Sequence, residues 1–262
     1  MKKWILIGLA AIIVIVVVVV YVGLSNLGPI IKKAVNTYGP KITKTELHVA
    51  DVGVSILSAE AKIESFFLGN PKGFKSPSAM KVGSLFVKVD EKSLTGDTII
   101  IERVEVKKPE INYEKKGKTD NFKAILDNVK QSAASDKKSA DPAKKEGGGK
   151  NLIINDFVVT QGKVNLAMSV MGLGDKEIAV NLPDIHLKDL GKKKGGASAS
   201  EISKEIFAAL YGKITSPAVT DALNKELKSI GASLDSIGKK SLDTSGKTLD
   251  DAKNKVKGLL SD

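Results

Sequence analysis

The chain has no cysteine, two histidines (His48 and His186), one arginine (Arg103) and one tryptophan (Trp4) among 262 residues. Without cysteine there is no disulfide, no thiolate metal ligand and no cysteine nucleophile. Two histidines cannot build a poly-histidine metal cage, and both fall in the polar phase of alternating segments, where surface histidines belong. Trp4 lies inside an apolar run, which leaves no tryptophan platform for a sugar. The single arginine reshapes the meaning of the +11 net charge, because 40 of the 41 basic residues are lysine. Base readout and bidentate phosphate clamps draw on arginine. The basic excess therefore points away from nucleic acid and toward a solvated surface or loose attraction to anionic lipid. Motif chemistry is equally sparse. Gly147–Gly149 lacks the G-K-[ST] ending of a P-loop, no G-x-S-x-G elbow occurs, and the carboxylates are scattered. The expectation is a protein that is not an enzyme, with no cofactor, no metal and no nucleic-acid partner.

What the sequence does contain is a long apolar run. Trp4 to Ile31 carries no charge, and Trp4–Leu24 is 21 residues, about 31 Å as a helix, which matches a bilayer core. Trp4 and Tyr21 sit where interfacial aromatics sit. A cleaved signal peptide is the rival reading, but it calls for a shorter apolar core and a small-residue cleavage site. The reading is a single-pass signal anchor over residues 1–24, with the N-terminus in the cytoplasm. It places the chain in a bacterial inner membrane, with its bulk in the periplasm.

Pro29–Tyr38 reads as a short amphipathic helix stopped by Gly39-Pro40. From Thr43 the period becomes two. Thr45, Leu47 and Val49 alternate with Glu46 and His48; Val52, Val54 and Ile56 form a second strand, and Ala59, Ala61 and Ile63 a third. Further strands are expected over Ser84–Asp90, Thr98–Lys107 and Glu110–Glu114, with a register change near Arg103 that suggests a bulge. Asp120 reads as the cap of a helix over Asp120–Gln131 that buries Phe122, Ile125, Leu126 and Val129. Residues 132–150 read as a flexible linker. Strands resume over Leu152–Thr160, Gly162–Val170, Lys176–Leu182 and Ile185–Leu190, with hairpin turns at Gln161-Gly162 and Gly172–Asp175.

A second polar break, Lys192–Ser200, leads into helices. Ser200 reads as a cap, Ile202, Ile206, Ala209 and Leu210 as one stripe, and Pro217 as a first-turn proline. Leu223, Leu227, Ile230, Leu234 and Ile237 continue at 4-3-4-3 spacing, and Leu249, Ala252, Val256, Leu259 and Leu260 form a last stripe. These faces suit packing on the sheet, a partner or self-association, or a membrane surface. The parts are thus an anchor (1–24), a β-rich part with a short helix (25–131), a linker (132–150), strands completing the sheet (151–190), and a linker with a helical region (191–262). The fold class is α+β, a curved, mainly antiparallel sheet with C-terminal amphipathic helices and no βαβ alternation.

One series of motifs runs Val52-Gly53-Val54-Ser55-Ile56, Leu68-Gly69-Asn70-Pro71-Lys72-Gly73-Phe74, Val82–Asp90, Ser93-Leu94-Thr95-Gly96-Asp97-Thr98-Ile99, Ile101–Val106, Pro109-Glu110-Ile111 and Asn121-Phe122. It resembles the N-terminal region of the AsmA-like envelope proteins over about residues 1–126, with Phe122 where that family has tryptophan. Read physically, Asn70, Pro71 and Gly73 make a tight turn that Phe74 staples to the apolar face. The resemblance implies a strongly curved sheet with an apolar concave face, lipid handling, and a role in outer-membrane and envelope integrity. The groove lining it implies is Leu47, Val49, Val54, Ile56, Ile63, Leu85, Val87, Ile99, Ile101, Val104, Val106 and Ile111. The same positions serve equally as a core under the C-terminal helices, and both readings stand at this point. Three functions follow: an anchored, non-enzymatic protein that binds phospholipid; a structural protein whose C-terminal helices dock envelope proteins or another copy; and a stress-protective envelope protein.

Overall fold

The computed structural model describes residues 27–138, 150–166 and 178–240. The expected anchor (1–24), the turn at Gly172–Asp175 and the stripe from Leu249 to Leu260 lie outside the described residues. Among the described residues no helix is long and apolar enough to cross a membrane.

The first helix, α1 (Leu27–Thr43), runs through Gly39 and Pro40 where a stop was expected. Pro40 lies in the last turn, where only one backbone bond is lost, and the end is closed by the Lys44 amide donating to the Pro40 carbonyl at 2.8 Å. Gly39 is needed for contact: a Cβ there would meet the Leu47 side chain at 2.5 Å. Strands β1 (Leu47–His48), β2 (Asp51–Ser55), β3 (Glu60–Leu68), β4 (Met80–Val89), β5 (Thr98–Lys107) and β6 (Glu110–Tyr113) follow, with a 3-10 turn at Glu91–Thr95. A small hairpin, β7 (Lys115–Lys116) and β8 (Thr119–Asp120), leads into α2 (Asn121–Lys138). This helix outruns the expected Gln131 end and takes up the first residues of the expected 132–150 linker, of which 139–149 lie outside the described residues. Then come β9 (Asn151–Thr160), β10 (Lys163–Leu166), β11 (Ile178–Asn181), β12 (Ile185–Leu190), a 3-10 turn at Lys192–Lys194, α3 (Ala199–Ile214) and α4 (Pro217–Lys240).

The class is α+β: a curled, half-barrel mixed sheet with four helices. Most strand pairings among the described residues are antiparallel, as expected, but two are not. β5 runs parallel to β9, and β6 parallel to β10. Parallel neighbours need a long crossover, and α2 supplies it, so the chain does contain a β-α-β step at its centre.

The strands are joined end to end. β1 and β2 share one register against β3 (Leu47 opposite Leu68, Asp51 opposite Glu64). β5 and β6 share one register against β4 (Leu85 opposite Val106, Met80 opposite Ile111). The same holds for β9 with β10 and for β12 with β11. Each pair is one long track interrupted at the same level. That level passes through Ser65, Lys108 and Gln161, all left-handed at φ 52°, 54° and 57°. Gln161-Gly162 is therefore not a hairpin; the chain keeps its direction, and the Lys163 amide donates to the Pro109 carbonyl at 2.9 Å.

Across this crease the buried phase inverts. Val104 and Val106 are buried before it, Ile111 and Tyr113 after it; Phe157 and Val159 before, Val164 and Leu166 after. The side-chain period of two slips by one at each left-handed residue, in neighbouring tracks together, so pairing survives while the sheet turns. The register change expected near Arg103 is also present, between Lys88 and Val89 on the partner strand.

Helices cover the inner face unevenly. α1 packs on β1 and β2, α2 between α1 and α3, α3 on β9 and β12, and α4 on β11. Phe122, Ile125, Leu126 and Val129 are buried as expected, as are Ile202, Leu210, Leu223 and Leu227. The cap of α3 is Ser198, not Ser200. Ser198 accepts from the Glu201 amide, and Glu201 reaches back in a capping box.

Candidate functional site

The inner sheet face can be followed as rows of cross-strand neighbours. One row runs Val54, Ala61, Val87, Val104, Phe157 and Leu187. A second runs Val52, Ile63, Leu85, Val106, Val159 and Ile185. The part of these rows toward β9 and β12 lies under α3 and is largely closed: Val104, Phe157, Val106, Val159 and Ile185 are all buried. On β2, β3 and β4, Val54, Ile63, Leu85 and Val87 are only half-buried, and so are Ile99 and Ile101 on β5. Of the twelve lining candidates, Leu47, Val49, Val104, Val106 and Ile111 are core and present no free surface. Val54, Ile63, Leu85, Val87, Ile99 and Ile101 form an incompletely covered apolar strip. Ile56 lies past the end of β2 and is 40 % exposed. Groove and core are thus both present, at different places on one face. Docking of the helices divides them, which strand alternation does not report.

The turn residues join a different assembly. The Asn121 side chain is fully buried and donates to Asn70 Oδ1 at 2.8 Å and to the Asn112 carbonyl at 2.7 Å. Its own oxygen accepts from the Glu114 and Phe122 amides. Asn70 in turn donates to the Ser76 carbonyl at 2.8 Å, and the Glu114 carboxylate accepts from the Lys75 and Ser76 amides. Gly73 is left-handed at φ 98°, and a Cβ there would meet Lys116 Nζ at 2.7 Å. Pro71 accepts from the Phe74 amide within the turn. Phe74 is half-buried and lies outside the buried core cluster, so Asn70 and Glu114, not the expected Phe74 staple, hold this turn. Every bond here is internal, which marks a structural latch between the β3–β4 turn, β6 and α2.

Asp120 caps α2. Its carboxylate accepts from the Lys123 amide at 2.7 Å and from the hydroxyls of Tyr113 and Tyr211 at 3.3 and 3.2 Å. Burial, with the nearby Asp120 charge, pushes both phenols up, Tyr211 to about 12. This ties α3 to the start of α2.

On the outer face Asp156 receives Arg103 at 2.7 Å and also contacts His186. The His186 hydrogen bond, followed by the charges nearby, holds the Asp156 carboxyl below its ordinary value. Arg103 also bonds Glu105 at 2.6 Å, which lowers that carboxyl too. His48 stacks on Phe67 with ring centroids 4.8 Å apart, at a shallow cleft of about 380 Å³ on the crease. Both histidines lie at the surface, as their polar phase indicates. Among the described residues no group of three or more His, Cys, Asp or Glu side chains could hold a metal ion.

No family model, curated protein or solved structure matches this chain.

Proposed function

We propose that this is a membrane-anchored, non-enzymatic envelope protein of AsmA-like type that holds phospholipid acyl chains on the uncovered part of its inner sheet face. The observation that carries the reading is the half-buried strip of Val54, Ile63, Leu85, Val87, Ile99 and Ile101, continuous with a closed core. A hydrocarbon chain laid on it removes apolar surface from water on both partners, at about 0.8 kcal/mol for each methylene fully buried. Anchoring rests on the uncharged run Trp4–Leu24, and residence in a bacterial inner membrane, with the bulk in the periplasm, rests on that run behind a lysine-tipped N-terminus. Support of outer-membrane integrity is the physiological role that this reading and the family resemblance suggest together. The alternative, a scaffold docking a partner through its C-terminal helices, loses part of its motivation, because Leu223 and Leu227 are already buried against the chain's own core.

The test uses the full chain in vesicles containing a phospholipid with a photoactivatable acyl chain. Adducts are expected on β2 to β5 at the strip, and Val87→Glu is expected to reduce them. Adducts confined to residues 1–24 and the outer face would sink the reading.

A further inference from the structure

One end of the molecule gathers the exposed apolar side chains. The large hydrophobics exposed among the described residues are Ile30, Tyr38, Ile56, Leu57 and Leu94, and Leu57 is 99 % exposed. Ile56, Leu57 and Leu94 lie at a single end of the sheet, and Ile30 lies on the part of α1 nearer to it. Ile56 and Leu57 form the tip of the β2–β3 hairpin. Leu94 belongs to the 3-10 turn between β4 and β5, beside that tip, because the Val89 amide donates to the Ala59 carbonyl at 2.9 Å. Ile30 is in the first turn of α1, which points the same way. A Cβ on Gly28 would lie 2.1 Å from the Val52 carbonyl, one on Gly39 would meet Leu47, and Asn36 between them accepts from the Val49 amide. The helix start therefore faces the hairpin, not the Asn70–Phe74 turn at the opposite end.

Scattered surface hydrophobics need no explanation, but a one-sided concentration does. The chain itself suggests the occupant. The segment entering α1 at this end is the apolar run that closes at Leu24, and Ser25 to Leu27 can extend at most about 10 Å. Ile56 projects about 13 Å past Val52 at the ordinary strand rise. With α1 along the bilayer normal, the hairpin tip reaches the level at which the apolar run leaves the membrane. Lys92 and Lys193 are exposed at this end without an ion pair among the described residues, but so are the carboxylates of Glu91 and Asp97 beside Leu94, so the apolar tip and its reach, not net charge, carry the contact.

We infer that this end docks on the bilayer, with Ile56, Leu57 and Leu94 inserted among the lipids, so that the apolar strip opens directly onto the membrane. The inference rests on the anchor and the lipid-holding strip proposed above, and names the surface from which the strip is filled.

Full-length protein carrying Trp4→Phe, to remove the native fluorophore, is reconstituted in phosphatidylglycerol-containing vesicles with brominated acyl chains. Leu57→Trp is expected to show blue-shifted emission that the bromines quench, and Phe74→Trp at the opposite end emission that they leave unquenched. Leu94→Trp carries the same readout on a separate segment, so failure of one variant to fold leaves the test intact. Unquenched, water-like emission from the folded tip variants overturns the inference, as does equal quenching at position 74. A quenched tip without acyl adducts on the strip removes lipid holding and leaves docking. Adducts on the strip with an unquenched tip do the reverse.

Discussion

The two halves of the inner face, one running from Val104 and Val106 of β5 toward β9 and β12 and the other on β2 to β4 and the start of β5, are built from the same strand chemistry and end differently. Val104 and Val87 are direct cross-strand partners. Val104 is 9 % exposed, and Val87 is half-buried beside it. The first sits in the core beneath the helices, and the second borders open space. The same alternating valines and isoleucines thus make a core in one place and an apolar shore in the other, and helix placement is the variable.

The largest way to break that comparison is a buried charge. Val104→Glu places a carboxylate within the buried apolar core, at a cost of several kcal/mol, a large part of a typical domain's 5–15 kcal/mol margin. Loss of cooperative unfolding, followed by circular dichroism, is expected. Val87→Glu can turn its carboxylate to water and is expected to stay folded. Equal damage from both would abolish the distinction.

Next in size is the latch. Asn121→Ala leaves the Glu114 and Phe122 amides and the Asn112 carbonyl without their buried partner. A loss of about 3 kcal/mol is expected in urea unfolding.

The closed side also carries a pH signature. Tyr211 is raised to about 12, and Tyr113 is raised further. A phenol whose folded value lies above its unfolded one, near 10, favours the folded state while neutral. That contribution is whole below pH 10 and is lost as pH rises toward and through 12. Urea midpoints should therefore fall over this window, and Tyr211→Phe should flatten the fall. A fall unchanged in Tyr211→Phe would assign it to other groups.

Smaller effects are expected at the crease. A left-handed non-glycine residue costs about 1–2 kcal/mol, and glycine gives part of that back through unfolded-state entropy. Ser65→Gly, Lys108→Gly and Gln161→Gly should each stabilise by about 0.5–1 kcal/mol in the same assay, an unusual sign for glycine in a sheet. The smallest effect belongs to the exposed tip: Leu57→Ser should stay within about 0.5 kcal/mol of the parent, because no packed neighbour is lost.

Much of this fold is legible in the sequence. Thr98–Lys107 stands as read, and Phe122, Ile125, Leu126 and Val129 are buried where helical spacing puts them. Ser198 was also readable as a cap, since Glu201 follows it at capping-box spacing. The crease was harder. Ser, Lys and Gln have no strong preference for the left-handed region, so Ser65, Lys108 and Gln161 look like ordinary strand residues. The visible trace is the odd spacing of five from Val106 to Ile111 and from Val159 to Val164, which reads as a turn unless both flanking strands are known to share a register. The division of the apolar strip was not legible, because it depends on where α3 comes to rest.

The crease has a mechanical consequence. A flat ribbon of strands flexes easily about an axis along its strands, as a sheet of paper does. A folded line crossing the tracks, held by backbone bonds on both sides, acts like a corrugation and stiffens the sheet against that motion. The opening of the half-barrel is then governed by main-chain geometry at Ser65, Lys108 and Gln161, remote from the residues that line it. Side chains on the apolar shore are free to change in size or shape without altering its span, so the width of the open strip and the chemistry of its lining can vary separately.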